Sequence, residues 1–102
     1  AANMPSVAEF ATLQRAHIGY ALDPETKLGL AKPHYEKLIE LLTTQEKDEN
    51  TNERFIEAYR YLGYYYLLKE DKEKSAEYWN KILAIDPENA MAKQALGLTQ
   101  AN

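Results

Sequence analysis

The sequence predicts an all-α fold in which antiparallel helix pairs stack into an α-solenoid. Three observations predict it. Apolar residues recur at helical spacing along nearly the whole chain, and no stretch alternates as a half-buried strand would. A glycine preceded by a large aliphatic residue falls inside three of these periodic stretches, at Ile18-Gly19, Leu62-Gly63 and Leu96-Gly97. Proline-centred breaks, Asp23-Pro24-Glu25-Thr26 and Asp86-Pro87-Glu88, cut the chain into helix-sized pieces.

A first helix is expected over 7–22, with Ser6 as its N-cap and Pro24 ending it. After the 23–26 turn, a second is expected over 30–42, where Pro33 is tolerated because it falls in the first turn. The polar start of the stretch 46–55 reads as a longer turn. Within it, Asn50 followed by Glu53 resembles a capping box, so a third helix begins early and runs long, over about 51–69. Asp71 caps a fourth over 72–85, and the charged cluster 70–74 reads as a solvated turn. Pro87 opens a fifth over 87–98.

The third and fourth helices carry the most regular pattern: Tyr59, Leu62, Gly63 and Tyr66, then Ser75, Trp79 and Ile82, then Pro87. A glycine inside a helix costs about 0.5–1 kcal/mol relative to Ala, a cost accepted where another backbone approaches closely. Ser75, small and near the start of the next helix, is the expected partner of Gly63. Tyr59, Leu62 and Tyr66 form one stripe; Trp79, Ile82 and Leu83 supply the facing one. Tyr59, Leu62, Gly63, Tyr66, Ser75 and Trp79 are expected to be buried. The spacings resemble the tetratricopeptide repeat (TPR), W-x2-L-G-x2-Y, A-x3-F, P, within about 34 residues. Here Tyr stands for Trp, Ser for Ala and Trp for Phe. The resemblance covers 56–89 and implies a stacked helix pair with a role in protein association.

A more degenerate copy fits 12–45 with Gly19 in register with Gly63. Ile18, Leu22, Ala31, Tyr35, Leu38 and Ile39 fall on the repeat positions, whereas Arg15 and Thr43 depart from them. The two glycines lie 44 residues apart (63 − 19), so about ten residues, 46–55, form an inserted linker relative to the repeat length. A third copy begins at 90–98 as a C-terminal capping helix. Its Gly97 is unexpected in a pure cap, so either another helix once followed or the glycine is a relic of the repeat. The segment 22–37, with Leu62-Gly63-Tyr64-Tyr65, is similar to certain bacterial TPR proteins. The start Ala1-Ala2-Asn3-Met4 reads as an internal cut, which makes the chain a C-terminal piece of a longer repeat protein.

The 102 residues fit one domain, 1–102, with a modest core. A formal net charge of −4 argues against nucleic acid as a partner. Cysteine is absent, which removes disulfides and thiolate metal ligands. No run of eighteen apolar residues suggests a membrane span. The N-terminus lacks the basic and apolar regions of a signal peptide, and bacterial cytoplasm and periplasm both stay open. His17 and His34 are the only histidines and lie on different helices, so no metal site is expected. No nucleophile–base order and no paired carboxylates stand out. The chain is expected to be no enzyme and to use no cofactor.

The tyrosines raise a different prospect. Tyr59, Tyr61, Tyr64, Tyr65 and Tyr66 crowd one helix and cannot all face inward. The resemblance implies that the first helix of each repeat lines a concave groove. It points to Arg60, Tyr61, Tyr64, Leu67 and Leu68, joined by Leu13, Ala16, His17 and Tyr20 from the upstream copy. Aromatic and arginine side chains are what interaction hot spots favour. The alternative is that Tyr61, Tyr64 and Tyr65 pack on neighbouring segments. The carboxylate clamp of chaperone-binding members would need Lys, Asn and Arg where this chain has Ala16, Tyr20, Tyr61, Met91 and Ala95, so no affinity for chaperone tails is expected. Two functional readings remain. One is a scaffold binding a protein or peptide partner through a Tyr-rich face. The other is the end-cap of a longer array with no ligand of its own, which would pair with itself as a homo-oligomer.

Overall fold

The structure, a computed structural model, describes residues 7–44 and 49–100. The expected cap at Ser6, the start at 1–4 and the turn at 46–48 lie outside these residues. Five helices are present: α1 Val7–Leu22, α2 Lys32–Leu42, α3 Glu49–Leu68, α4 Lys72–Ile85 and α5 Ala90–Gln100. The described residues contain no strand, and the all-α class is as the sequence predicts.

Three helix starts differ from expectation, each for a local reason. Helix α3 already includes Glu49, so Asn50 lies inside it and is not its cap. Most of the inserted stretch is therefore helix, with Thr51 and Phe55 buried in the added turns. Helix α2 starts at Lys32 because the backbone just before it is held otherwise: the Asp23 carboxylate accepts the N–H groups of Lys27 (3.0 Å), Leu28 (3.0 Å), Gly29 (2.8 Å) and Leu30 (3.4 Å). Gly29 supplies the left-handed φ of 71° that this wrap requires. Helix α5 starts at Ala90 because Asn89 caps it, its Oδ1 accepting the Ala92 N–H at 2.9 Å. Helix α4 begins where the sequence places it. Asp71 is its N-cap, accepting from the Lys74 N–H.

The chain divides into two compact units, 1–46 and 47–102, and the division falls at the head of the inserted stretch. In the first unit α1 packs on α2. A Cβ added to Gly19 would lie 3.0 Å from the Ala31 Cα and N and 3.1 Å from the Leu30 carbonyl carbon. This is a close backbone approach of the kind that the register of Gly19 with Gly63 implies. The buried line of α1 is correspondingly small or polar, with Glu9, Thr12, Ala16 and Gly19. On α2 the buried residues are Tyr35, Leu38 and Leu42.

In the second unit α3 packs on α4 and α4 on α5. Gly63 serves a different contact from the one expected. A Cβ there would meet the Trp79 indole, 2.7 Å from Cε2, 2.8 Å from Nε1 and 3.1 Å from Cδ2. Ser75 does not supply the close approach; it ties the pair together. Its hydroxyl donates to the Gly63 carbonyl (2.7 Å) and accepts from Trp79 Nε1 (3.0 Å). The indole lies across the glycine with its N–H satisfied, as a buried tryptophan requires. Trp79 and Ile82 continue into a core with Ala92, Ala95 and Leu96 of α5, flanked by Ile56, Tyr59, Ala76 and Leu83.

Helix α3 ends in a Schellman arrangement. Asp71 N–H donates to the Tyr66 carbonyl (2.9 Å) and Glu70 N–H to that of Leu67 (3.1 Å), with Glu70 at φ 63° where glycine is usual. Gly97 contrasts with the other helical glycines: an added Cβ there meets nothing within 4 Å.

Candidate functional site

On α3, positions 60, 64 and 68 follow one another at four-residue spacing and share a face. Arg60 is exposed, and Tyr64 and Leu68 are each 45% exposed. No carboxylate among the described residues pairs with Arg60. Leu67, beside them, is half-buried. Tyr61 departs from expectation. It is only 7% exposed and so belongs to the interior. On α1, Leu13 is half-buried, His17 is exposed and Tyr20 is 49% exposed, whereas Ala16 is fully buried and offers nothing to a partner. The two sets of residues belong to different units, and each stands as a separate face.

The physical reason for the split between Tyr61 and Tyr64 is angular. Residues three apart on a helix are offset by about 60° at 3.6 residues per turn. That offset is enough to carry one tyrosine under cover while its neighbour stays in solvent. Sequence periodicity gives the stripe but not its edges.

A second feature of α3 was only half legible. Tyr59 and Tyr66, expected to be buried markers, are half-buried and take part in a ladder of rings with Tyr78 of α4. Phe55 stacks on Tyr59 (centroids 5.6 Å apart), Tyr59 meets Tyr78 (6.0 Å), Tyr78 stacks on Tyr66 (5.8 Å, interplanar angle 2°), and Tyr65 meets Tyr66 edge-on (5.1 Å). Three ammonium groups lie over these rings: Lys69 over Tyr65, Lys74 over Tyr66, and Lys81 over both Tyr59 and Tyr78. Burial pushes the Tyr59 phenol above its ordinary pKa. Sequence reasoning missed Tyr78. The signal that could have found it is the line Lys74, Tyr78, Lys81 and Ile85, spaced as one face of α4.

His17 is exposed on α1 and His34 half-buried on α2. Among the described residues no group of three or more His, Cys, Asp or Glu side chains could hold a metal ion, and no helix is long and apolar enough to cross a membrane.

Comparison with known proteins agrees with this architecture. The family model described as tetratricopeptide repeat matches residues 56–89, the α3–α4 pair with its closing Asp86-Pro87 turn. The chain is also similar to the C-terminal part of a TPR repeat-containing protein from Cytophaga hutchinsonii, known from a crystal structure. Identity is 43%, the match covers 86% of this chain, and the TM-score is 0.79. The chain spans about a third of the length of that relative, with 33% of it covered. No curated protein matches it.

Proposed function

We propose that this chain, a tetratricopeptide-repeat protein by its 56–89 repeat and its all-α architecture, uses the exposed face of α3 to hold a protein or peptide partner. Protein association is the general role of the repeat. The finer reading concerns where contact is made, and Arg60, Tyr64 and Leu68 are its centre. The observation that carries it is the exposure of an aromatic and an aliphatic side chain on one helix face beside an arginine that no carboxylate among the described residues engages. Such residues contribute little to folding where they stand and much to an interface. Leu13, His17 and Tyr20 of α1 are a second contact set of the same reading, and Tyr61 is not part of it. The role proposed is that of a scaffold, the typical role of this repeat fold.

The test is a comparison of two tyrosines. Tyr64→Ala removes a side chain that is already 45% in solvent and is expected to cost about 1 kcal/mol of stability or less. Tyr61→Ala truncates a buried aromatic and is expected to cost about 3–5 kcal/mol. A photo-crosslinking residue at position 64 of the intact protein should capture a defined partner, and Tyr64→Ala should weaken that complex while leaving the fold intact. A partner that binds Tyr64→Ala as tightly as the parent removes the proposal.

The end-cap reading draws on a different observation. Val7, Ile18 and Leu22 on α1 are 85%, 58% and 72% exposed, an apolar stripe of the kind that seeks a neighbour. Light scattering that shows a monomer across a hundredfold concentration range would leave self-association without support.

A further inference from the structure

On the side of α3 opposite Tyr64, the ring ladder opens into a pocket of ≈ 190 Å³ lined by Asn52, Phe55, Tyr59, Lys81, Ala84 and Ile85. Phe55, 3% exposed, forms its apolar floor. From this pocket the half-buried rings of Tyr59, Tyr78 and Tyr66 run along the seam between α3 and α4. From Phe55 to Tyr66 is eleven residues, or about 16 Å at 1.5 Å per residue.

The charges along this seam are one-sided. Lys81 lies 5.6 Å from the Tyr59 ring centroid and 5.9 Å from that of Tyr78, and Lys74 lies 5.2 Å from that of Tyr66. Among the described residues no carboxylate pairs with either ammonium. This is notable in a chain whose sixteen acidic residues outnumber its twelve basic ones. Other lysines take carboxylates: Lys32 pairs with Glu36, Lys37 with Glu40 and Lys93 with Glu88. The α4 line that faces the seam, Lys74, Tyr78, Lys81 and Ile85, holds no acid. Glu77, about 40° from Lys81 and about 60° from Lys74 around the helix, pairs with neither among the described residues, and Glu73 lies about 80° or more from Lys81.

We infer that the α3–α4 seam of the second unit is a docking surface for an acidic peptide segment bearing one large apolar side chain. The apolar side chain fills the pocket over Phe55, and carboxylates to one side of it reach Lys81 and Lys74. The rings fix the lysines at the seam through cation–π contact, so less side-chain freedom is lost when an anion arrives. Complementary charge also steers the encounter and makes it sensitive to salt. The surface lies on the far side of α3 from Arg60, Tyr64 and Leu68 and does not rest on the role proposed for them.

The experiment is an amide-resolved NMR titration of the whole chain at low salt with three end-blocked peptides: Asp-Asp-Phe-Asp-Asp, Asp-Asp-Ala-Asp-Asp and Lys-Lys-Phe-Lys-Lys. The first should give saturable shifts at Phe55, Tyr59, Lys81 and Ile85 below about 1 mM peptide. The other two should bind more weakly by at least about tenfold. Lys74→Gln and Lys81→Gln, both at exposed positions that leave the fold intact, should each weaken the first peptide by roughly two- to fivefold, the range of an exposed ion pair. The inference is overturned if the first peptide gives no saturable shift, if its shifts centre on Arg60, Tyr64 and Leu68, if either control peptide binds equally well, or if both lysine variants bind like the parent.

Discussion

Replacing Gly63 with alanine is the sharpest probe of how the second unit is built. The added Cβ would sit 2.7–3.1 Å from three atoms of the Trp79 indole. Trp79 is 2% exposed, and its ring is held by the bond to Ser75, itself bonded back to the Gly63 carbonyl. The ring has little room to swing away, so α3 and α4 must separate by a few tenths of an ångström or more. Overpacking of this kind costs about 1–3 kcal/mol. Against it stands the helix propensity gained on replacing glycine, about 0.5–1 kcal/mol. The net expectation is a loss of about 1–2 kcal/mol, or a fall in Tm of roughly 4–16 °C for a domain of this size. Gly97→Ala is the control. Its Cβ meets nothing within 4 Å, only the propensity gain remains, and stability should rise by about 0.5 kcal/mol, since the last turns of a helix fray. Trp79 is the only tryptophan and lies within the second unit, so guanidinium unfolding followed by its fluorescence reports on both variants. A Gly63→Ala protein as stable as Gly97→Ala would refute the packing argument.

The remaining predictions concern single contacts. Ser75→Ala leaves the buried Trp79 N–H without its acceptor and should cost about 1–3 kcal/mol by the same fluorescence assay. Glu70→Gly removes a side chain from a left-handed position at the Schellman end of α3 and should stabilise by up to about 1 kcal/mol, read as a higher denaturation midpoint. For Asp23, burial pushes the carboxyl up, but the four backbone N–H groups of Gly29, Leu30, Lys27 and Leu28 together outweigh it and hold the group below its ordinary value. A depressed folded pKa means stability present above the unfolded pKa, near 3.9, and lost as pH falls through the folded value. Asp23→Ala should therefore unfold at lower temperature than the parent at pH 7, and the gap should narrow below pH 4.

The helices and the glycine register were legible because both rest on periodicity, which sequence states directly. The Gly19–Ala31 approach was legible for the same reason. The contact at Gly63 was not: spacing puts Trp79 and Ser75 on the facing stripe, but only the side-chain rotamers decide which of them covers the glycine. Helix α1 shows a different limit. Its buried line is Glu9, Thr12, Ala16 and Gly19, with the close approach to α2 at Gly19 favouring small side chains at that end, and Phe10, Ile18 and Leu22 are left outside. A reading by hydrophobicity alone would turn this helix the wrong way. On α3, the offset that buries Tyr61 and exposes Tyr64 depends on what covers each flank, and that information lies in other elements.

The Asp23 loop has a consequence for how the first unit is handled by other molecules. Exposed connections, and this one has Leu28 74% in solvent, are ordinarily where proteases nick and where insertions are accepted. A protease must draw several residues into an extended form, and here the N–H groups of four consecutive residues must first be pulled from one carboxylate. The segment is thus surface-exposed and yet expected to be cut more slowly than its exposure alone implies, and a tag or a foreign loop placed at 27–30 would displace the bonds that define it. The place to cut or graft this chain is elsewhere.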